Sequence, residues 1–284
     1  MPNFPLIDAH LHLWNPTHFR MPWLDNNPLL NRSYELREYY EHTADVAIEA
    51  MVYLQVDVEP AYALLEAQWV LERANQDQRI QAIVPWAPIE YGERARAFLE
   101  ALTALDPCIK GVRRNIQDEA DPNFCLLPDF IRGLQLLPEY GLSFDICVKH
   151  WQLASAVKMV QLCPDTAFIL DHIGKPDIKG QLFAPWLEHI QALASYPNVL
   201  CKISGLVSEA NHEHWTAEDL APYVAHVIEA FGEDRIVFGG DWPVALLATT
   251  YTRWVATLDS LTAHFSPEAK RKLWAENARS FYRL

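Results

Sequence analysis

A chain of 284 residues, half of them hydrophobic, is long enough to bury a sizeable core and to form one or two domains. Its formal net charge of −14 argues against nucleic acid or an anionic membrane surface as partner, because both require basic patches. No apolar run reaches the length of about 18 residues that a membrane-spanning helix needs.

The first stretch with a clear pattern is Leu6-Ile7-Asp8-Ala9-His10-Leu11-His12-Leu13-Trp14, read as a strand. Apolar Leu6, Ala9, Leu11 and Leu13 interleave with Asp8, His10 and His12, so the two imidazoles are expected on one face. That spacing suits half of a metal site or half of an acid/base cluster, and equally a strand whose polar face carries two histidines. Strand-forming sequence starts so close to Met1 that no charged leader and cleavage site fit before it, which favours a cytoplasmic location. A long loop rich in Pro and Asn follows from Asn15 to Asn31 and contains Trp23. Loops of that length are often functional.

Ser33 is placed to cap a helix through His42, and a second strand is expected from Ala47 to Val56, ending at Asp57. Glu59-Pro60 opens a helix with an apolar stripe at Leu64, Leu65, Val70 and Leu71. Strand-like runs recur at Gln81–Trp86, Ile109–Ile116, Leu142–Val148, Ala167–His172, Val199–Ser204 and Arg235–Phe238. Helical runs follow them near Glu93–Leu105, from Pro128, at Ala154–Leu162, Trp186–Ser195, from the capping box at Thr216 to Phe231, and at Thr250–His264. A last helix starts at Ser266-Pro267-Glu268. Pro85 is awkward inside a central strand and is placed at the end of the third.

Eight strand runs, each followed by a helical run with no linker between them, predict an α/β fold of the (β/α)8 TIM-barrel type, one domain over residues 1–284. A doubly wound open sheet fits less well, since the first turn carries no G-x-G-x-x-G. The five cysteines are scattered, without C-x-x-C, and read as buried free thiols.

In a barrel, polar residues at the carboxyl ends of strands face the active-site mouth. Those ends carry His10 and His12, Gln55 and Asp57, Arg113, Arg114 and Gln117, Lys149 and His150, Asp171 and His172, Lys202 and Ser204, and Asp241. So many ionisable groups on one rim are costly unless paired or solvated, which points to a site. Arg113 and Arg114 are consecutive, so only one faces the mouth; Arg113 shares parity with Asn115 and Gln117 and is preferred. Lys202 is expected at the site, with a helix-facing ion pair as its alternative. Trp23, Trp86, Trp151 and Trp242 lie in or beside βα loops, where an indole can pack the apolar face of a sugar or serve ordinary loop packing. His212-Glu213-His214 has the wrong spacing for a zinc helix and reads as solvated loop.

Taken together, Ile7-Asp8-Ala9-His10-Leu11-His12, Asp171-His172-Ile173-Gly174-Lys175-Pro176 and Gly240-Asp241-Trp242-Pro243 resemble the motifs of the amidohydrolase superfamily. With Gly111–Gln117, Lys202-Ile203-Ser204-Gly205-Leu206 and Glu276-Asn277-Ala278-Arg279, they resemble more narrowly its amidohydrolase-2 branch of sugar and carboxylate lactonases, including L-fuconolactonases. The resemblance implies a catalytic cluster of His10, His12, His172 and Asp241, and a small-molecule lactone as partner. Val112-Arg113-Arg114 stands where binuclear members carry a bridging Lys or Glu, so a bridged two-metal centre is not expected.

On this footing a hydrolase that opens a sugar-acid lactone (fucono-, galactono- or rhamnono-type) is expected, with Asp241 as general base. His10, His12 and His172 would bind a single divalent ion with Asp241, zinc before others, or donate hydrogen bonds directly to the carbonyl oxygen. Some lactonases of this branch are expected to work without metal. Arg113, Lys202, His150, Trp23, Trp86 and Trp242 are the expected substrate contacts, although His150 serves equally well as a metal ligand. A metal-dependent decarboxylase using the same residues and a non-catalytic sugar-acid-binding barrel are the competing readings.

Overall fold

The computed structural model describes residues 1–284. Eight parallel strands alternate with helices: β1 (Leu6–Leu11), β2 (Ile48–Leu54), β3 (Ile80–Val84), β4 (Gly111–Val112), β5 (Ser143–Ile146), β6 (Phe168–Leu170), β7 (Val199–Ile203) and β8 (Ile236–Phe238). The ladders run β1-β2-β3 and β4-β5-β6-β7-β8. Parallel bridges at Ile83–Ile109 and Leu11–Trp242 join the two sets at both seams, which closes the ring into a (β/α)8 barrel. Pro85 lies one residue past β3, where its carbonyl still accepts from the Arg113 N–H at 2.9 Å.

The outer helices are α1 (Leu36–His42), α2 (Ala63–Gln76), α3 (Arg96–Thr103), α4 (Pro128–Leu136), α5 (Leu153–Leu162), α6 (Trp186–Ala194), α7 (Ala217–Phe231) and α8 (Tyr251–Leu261). The C-terminal segment adds α9 (Pro267–Arg271), a π-helical turn at Lys272–Glu276, and α10 (Asn277–Tyr282). Two apolar layers result. One fills the space between strands and helices. The smaller one fills the barrel itself, where Ile7, Ala9, Val52, Ile169 and Val237 meet Ala275, Ala278 and Tyr282. The C-terminal segment therefore plugs the barrel floor. No helix is long and apolar enough to cross a membrane.

Four local expectations are corrected. Helix α1 begins with a capping box between Glu35 and Glu38, while Ser33 only donates to Glu35 Oε1 at 3.2 Å. Leu65 is exposed, and Glu66 takes the inward position on α2 instead. The fourth strand is two residues long, because after Arg113 the chain bends across the end of β5 and both Ile116 and Gln117 donate to the Cys147 carbonyl.

Strand β1 does not keep simple alternation. Ile7 and Ala9 face the barrel interior, Asp8 faces α1 and α8, yet His10 also turns inward. A register shift between Asp8 and Leu11 makes this possible, as a bulge re-aims the side chains that follow it.

Glu66 is fully buried near the end of β2, accepting from Tyr53 Oη at 2.7 Å and the Val56 N–H at 2.8 Å. Burial pushes its carboxyl from an ordinary 4.5 up to about 7, against those hydrogen bonds. The folded state thus holds a proton that the unfolded chain has already released between about pH 4.5 and 7. Stability from this group is full below that window and falls by up to about 3 kcal/mol as pH rises through it. Urea unfolding should show Glu66→Gln gaining on the wild type between pH 5 and pH 8; a constant difference would contradict the assignment.

Candidate active site

At the carboxyl ends of the strands lies a cavity of about 330 Å³ lined by His12, His172, Asp241 and Arg113, with Lys175, Asp57, Asp118 and Glu209 around them. Trp14 and Trp23 form an aromatic wall, their rings edge-to-face at 5.4 Å. Amide side chains of Asn27, Asn115 and Gln117 also face the space.

The base of the cavity is built from the two strands that meet at the barrel seam. His10 Nε2 lies 3.1 Å from His12 Nε2, and Asp241 Oδ1 is 3.7 Å and 3.6 Å from these two atoms. His172 Nε2 stands 4.0 Å from the same oxygen, with its ring centroid 4.3 Å from that of His10. The four residues do not form one compact ligand set. His10, His12 and Asp241 make one close trio, and His10, Asp171 and His172 make a second that shares His10.

The outer nitrogens of the rings are pinned. His12 Nδ1 donates to the Leu54 carbonyl at 2.8 Å, leaving the Nε2 lone pair toward the cluster. His172 Nδ1 meets Ser204 Oγ at 2.9 Å. A tetrahedral zinc ion with bonds of about 2.0–2.1 Å needs donor atoms about 3.3 Å apart. The trio of His10, His12 and Asp241 comes near that spacing, so these side chains fit three corners of a divalent-ion site. The fourth side is open toward the cavity and His172.

Charge states follow from burial. Desolvation pushes His172 down to about 3, and it lowers His10 and His12 as well, so the imidazoles are neutral at pH 7. Burial pushes Asp241 up, but His172, His12 and His10 pull it down harder and hold it well below the ordinary carboxylate range. An ionised carboxylate amid neutral imidazoles can accept a proton or ligate a cation.

The backbone is strained at several of these positions. Asp57, His172, Ile173, Lys175 and Asp241 all adopt left-handed conformations, with φ between 47° and 56°. Non-glycine residues in this region cost of order 1 kcal/mol or more each and cluster at functional sites. Gly205 shares the conformation at φ +63°, and a Cβ there would strike the His172 ring and come within 2.8 Å of Asp241 Oδ2. We expect Gly205→Ala to lower activity at least tenfold with the circular dichroism spectrum retained; wild-type activity would show the two side chains tolerate displacement.

Beneath the cluster lies a charge lattice. Arg113 Nη1 pairs with Asp171 Oδ2 at 3.1 Å, and its Nη2 donates to the Gln55 carbonyl at 2.5 Å. Lys202 Nζ pairs with Asp145 Oδ2 at 2.5 Å and Asp171 Oδ1 at 3.0 Å. Two cations and two carboxylates balance, as a buried set must.

Of the expected substrate contacts, Arg113 and Trp23 line the cavity. Lys202 does not: it is completely buried under His10, because the acids on β5 and after β6 claim its ammonium. Trp86 packs on Phe98 behind β3, and Trp242 is enclosed by Tyr34, Tyr39 and His42 on the helix side of β8. His150 sits in a 3-10 turn after β5 with its ring against Trp151, away from the cavity lining. Arg114 turns outward to Glu90 and Glu119. Sequence reasoning did not assign Asp145, Lys175, Asp118 or Glu209. Asp145 could have been found as a charge in the middle of an apolar strand, and Lys175 stands inside a motif already singled out.

The family described as Amidohydrolase (amidohydrolase-2) matches residues 7–284. An L-fucono-1,5-lactonase of Burkholderia multivorans is 29% identical, covering 98% of this chain and 96% of the relative. An L-rhamnono-gamma-lactonase of Scheffersomyces stipitis is 22% identical over the full length of both chains. A crystal structure of an amidohydrolase from Burkholderia multivorans with bound zinc superimposes with a TM-score of 0.89 at 28% identity, covering 99% of this chain and 100% of that one.

Proposed function

This chain belongs to the amidohydrolase-2 family, and on that footing we propose that it is a hydrolase opening a neutral, hydroxylated sugar-acid lactone. The observation that carries the proposal is the Asp241 carboxylate held 3.6 Å from His12, 3.7 Å from His10 and 4.0 Å from His172 at the base of the cavity. Lactonase relatives support the reaction class.

Asp241 takes a proton from water, the resulting hydroxide adds to the lactone carbonyl carbon, and the carbonyl oxygen gains negative charge. Arg113 and Lys175 are the cationic donors of the cavity and are suited to that charge. As the ring C–O bond breaks, Asp241 returns its proton to the leaving oxygen. The product hydroxy acid then ionises. His10, His12 and Asp241, with His172 beside them, would hold one divalent ion, and zinc in a related structure supports that ion. Such an ion would supply Lewis acidity at the carbonyl and a lowered water pKa.

The side chains facing the cavity carry four carboxylates, Asp57, Asp118, Glu209 and Asp241, against the cations Arg113 and Lys175, an excess that a divalent ion at the cluster would offset. Asn27, Asn115 and Gln117 can serve hydroxyl groups, while Trp14 and Trp23 can pack the C–H face of the ring.

A panel of aldonic 1,4- and 1,5-lactones with muconolactones, followed by proton release with and without chelator, tests the reading. Turnover of neutral aldonolactones is expected, with muconolactones slower by at least tenfold. Release of carbon dioxide, or hydrolysis confined to the acidic lactones, would overturn it.

A further inference from the structure

Of the four carboxylates facing the cavity, three are engaged elsewhere. Asp241 belongs to the imidazole cluster. Glu209 pairs with Lys149 at 3.3 Å, and the exposed Asp118 accepts from Gln117 Nε2 at 3.2 Å. Asp57 is half-buried and makes no ion pair. The cations of the cavity are committed to other groups. Arg113 gives Nη1 to Asp171 Oδ2 at 3.1 Å and Nη2 to the Gln55 carbonyl at 2.5 Å, and Lys175 donates to Gln117 Oε1 at 2.6 Å. Asp57 also holds a left-handed backbone, with φ at 56°. A non-glycine residue is strained there, and such strain concentrates at ligand-binding positions.

Gln55, fully buried at the end of β2, organises this corner. Its Oε1 accepts from the Asp57 N–H, which leaves its Nε2 to donate to Asn115 Oδ1 at 3.2 Å. A backbone N–H can only donate, so it fixes which way the Gln55 amide lies. Asn115 must therefore present its oxygen to Gln55 and keep its NH2 group for the cavity that it lines. Burial raises the Asp57 carboxyl above its ordinary value, while Arg113 and the Asn115 amide pull it the other way, so donor and acceptor are neighbours.

Val56, between Gln55 and Asp57, is held from both sides. Its N–H donates to Glu66 Oε1 at 2.8 Å, and its carbonyl accepts from Trp23 Nε1 at 2.8 Å. One corner of the cavity thus combines an unpaired carboxylate, an amide donor and an indole wall. A sugar hydroxyl both donates and accepts. Two adjacent ring hydroxyls are met by one acceptor and one donor side by side, with an aromatic plane for the C–H face.

We propose that Asp57, set beside Asn115 by Gln55, is a specificity-determining residue that binds two adjacent hydroxyls of the lactone ring, Asp57 accepting from one and Asn115 donating to the other. The proposal rests on the reading that this chain hydrolyses a hydroxylated lactone. It assigns recognition of the ring, separate from the reacting carbonyl, to the end of β2.

The test compares kcat/KM for the fastest aldonolactone of the panel with that for the same ring without hydroxyls, γ-butyrolactone or δ-valerolactone. The wild type should favour the hydroxylated ring about a hundredfold, because a site built for hydroxyls rejects a ligand that leaves its polar groups unpaired. Asp57→Ala should cut that preference about tenfold or more, chiefly by raising KM for the hydroxylated lactone. Asparagine adopts the left-handed conformation more readily than most residues, so Asp57→Asn keeps the backbone and should cut the preference about threefold. If Asp57→Ala does not fold, Asp57→Asn decides. A wild type without the preference, or variants that keep it in full, would overturn the proposal alone. So would an equal loss of kcat on both lactones, which would put Asp57 in the reaction itself. A wild type that hydrolyses no lactone would overturn the lactonase reading and this proposal with it.

Discussion

Asp241→Asn should reduce lactone hydrolysis about 10³-fold with the fold unchanged by circular dichroism, the loss falling mainly on kcat. General bases contribute about 10²–10⁴-fold, and an amide of the same shape cannot take a proton from water. Asp241 is fixed by its own N–H to the His10 carbonyl at 2.8 Å and sits buried beside the imidazoles, so the substitution changes chemistry more than shape. Its carboxylate is already ionised well below the ordinary range, so the wild-type rate should not fall with an unperturbed carboxylate titration near pH 4. Unchanged hydrolysis in Asp241→Asn would remove it from the reaction. Retained ligand binding without turnover in the wild type would instead favour a binding barrel.

The βα alternation was readable because the barrel strands are mostly apolar and several of the following helices start with a capping or proline signal. Thr216 and Ser266 cap the helices expected of them. The convergence of His10, His12, His172 and Asp241 was legible from motifs on three strand ends. What escaped was pairing between strands distant in sequence. Nothing local to β7 reveals that Asp145, 57 residues before Lys202, reaches the same point inside the barrel and takes its ammonium from a substrate. Trp242 directly follows Asp241, yet its ring turns toward α1, because the left-handed conformation of Asp241 swings the chain there. The bulge in β1 was equally invisible: strict alternation puts Asp8 on the face of His10, and the structure puts it on the opposite one.

That displaced Asp8 should be the costliest residue to truncate. Its Oδ1 accepts from the His10 N–H at 3.1 Å and the Gly240 N–H at 2.8 Å, which ties β1 to the residue preceding Asp241. Oδ2 accepts from Tyr39 Oη at 2.9 Å and Tyr251 Oη at 3.0 Å, tying the same seam to α1 and α8. Asp8→Ala strips four buried donors of their acceptor, and each unsatisfied group costs about 1–3 kcal/mol before relaxation. Burial raises the Asp8 carboxyl above its ordinary value despite these hydrogen bonds, so part of that loss is returned when the charge is removed. A net destabilisation of about 4 kcal/mol is expected by urea unfolding. Asp8→Asn should cost less than about 1.5 kcal/mol, because an amide oxygen still serves both N–H groups and an amide nitrogen can donate to the phenol oxygens. The folded Asn variant separates the two roles of the seam. If Asp8 also aligns His10 with Asp241, kcat should drop several-fold in Asp8→Asn at a temperature where it is fully folded. An Asn variant with wild-type kcat would confine Asp8 to stability, and equal stability losses for Ala and Asn would show that the ionised carboxylate itself holds the barrel closed.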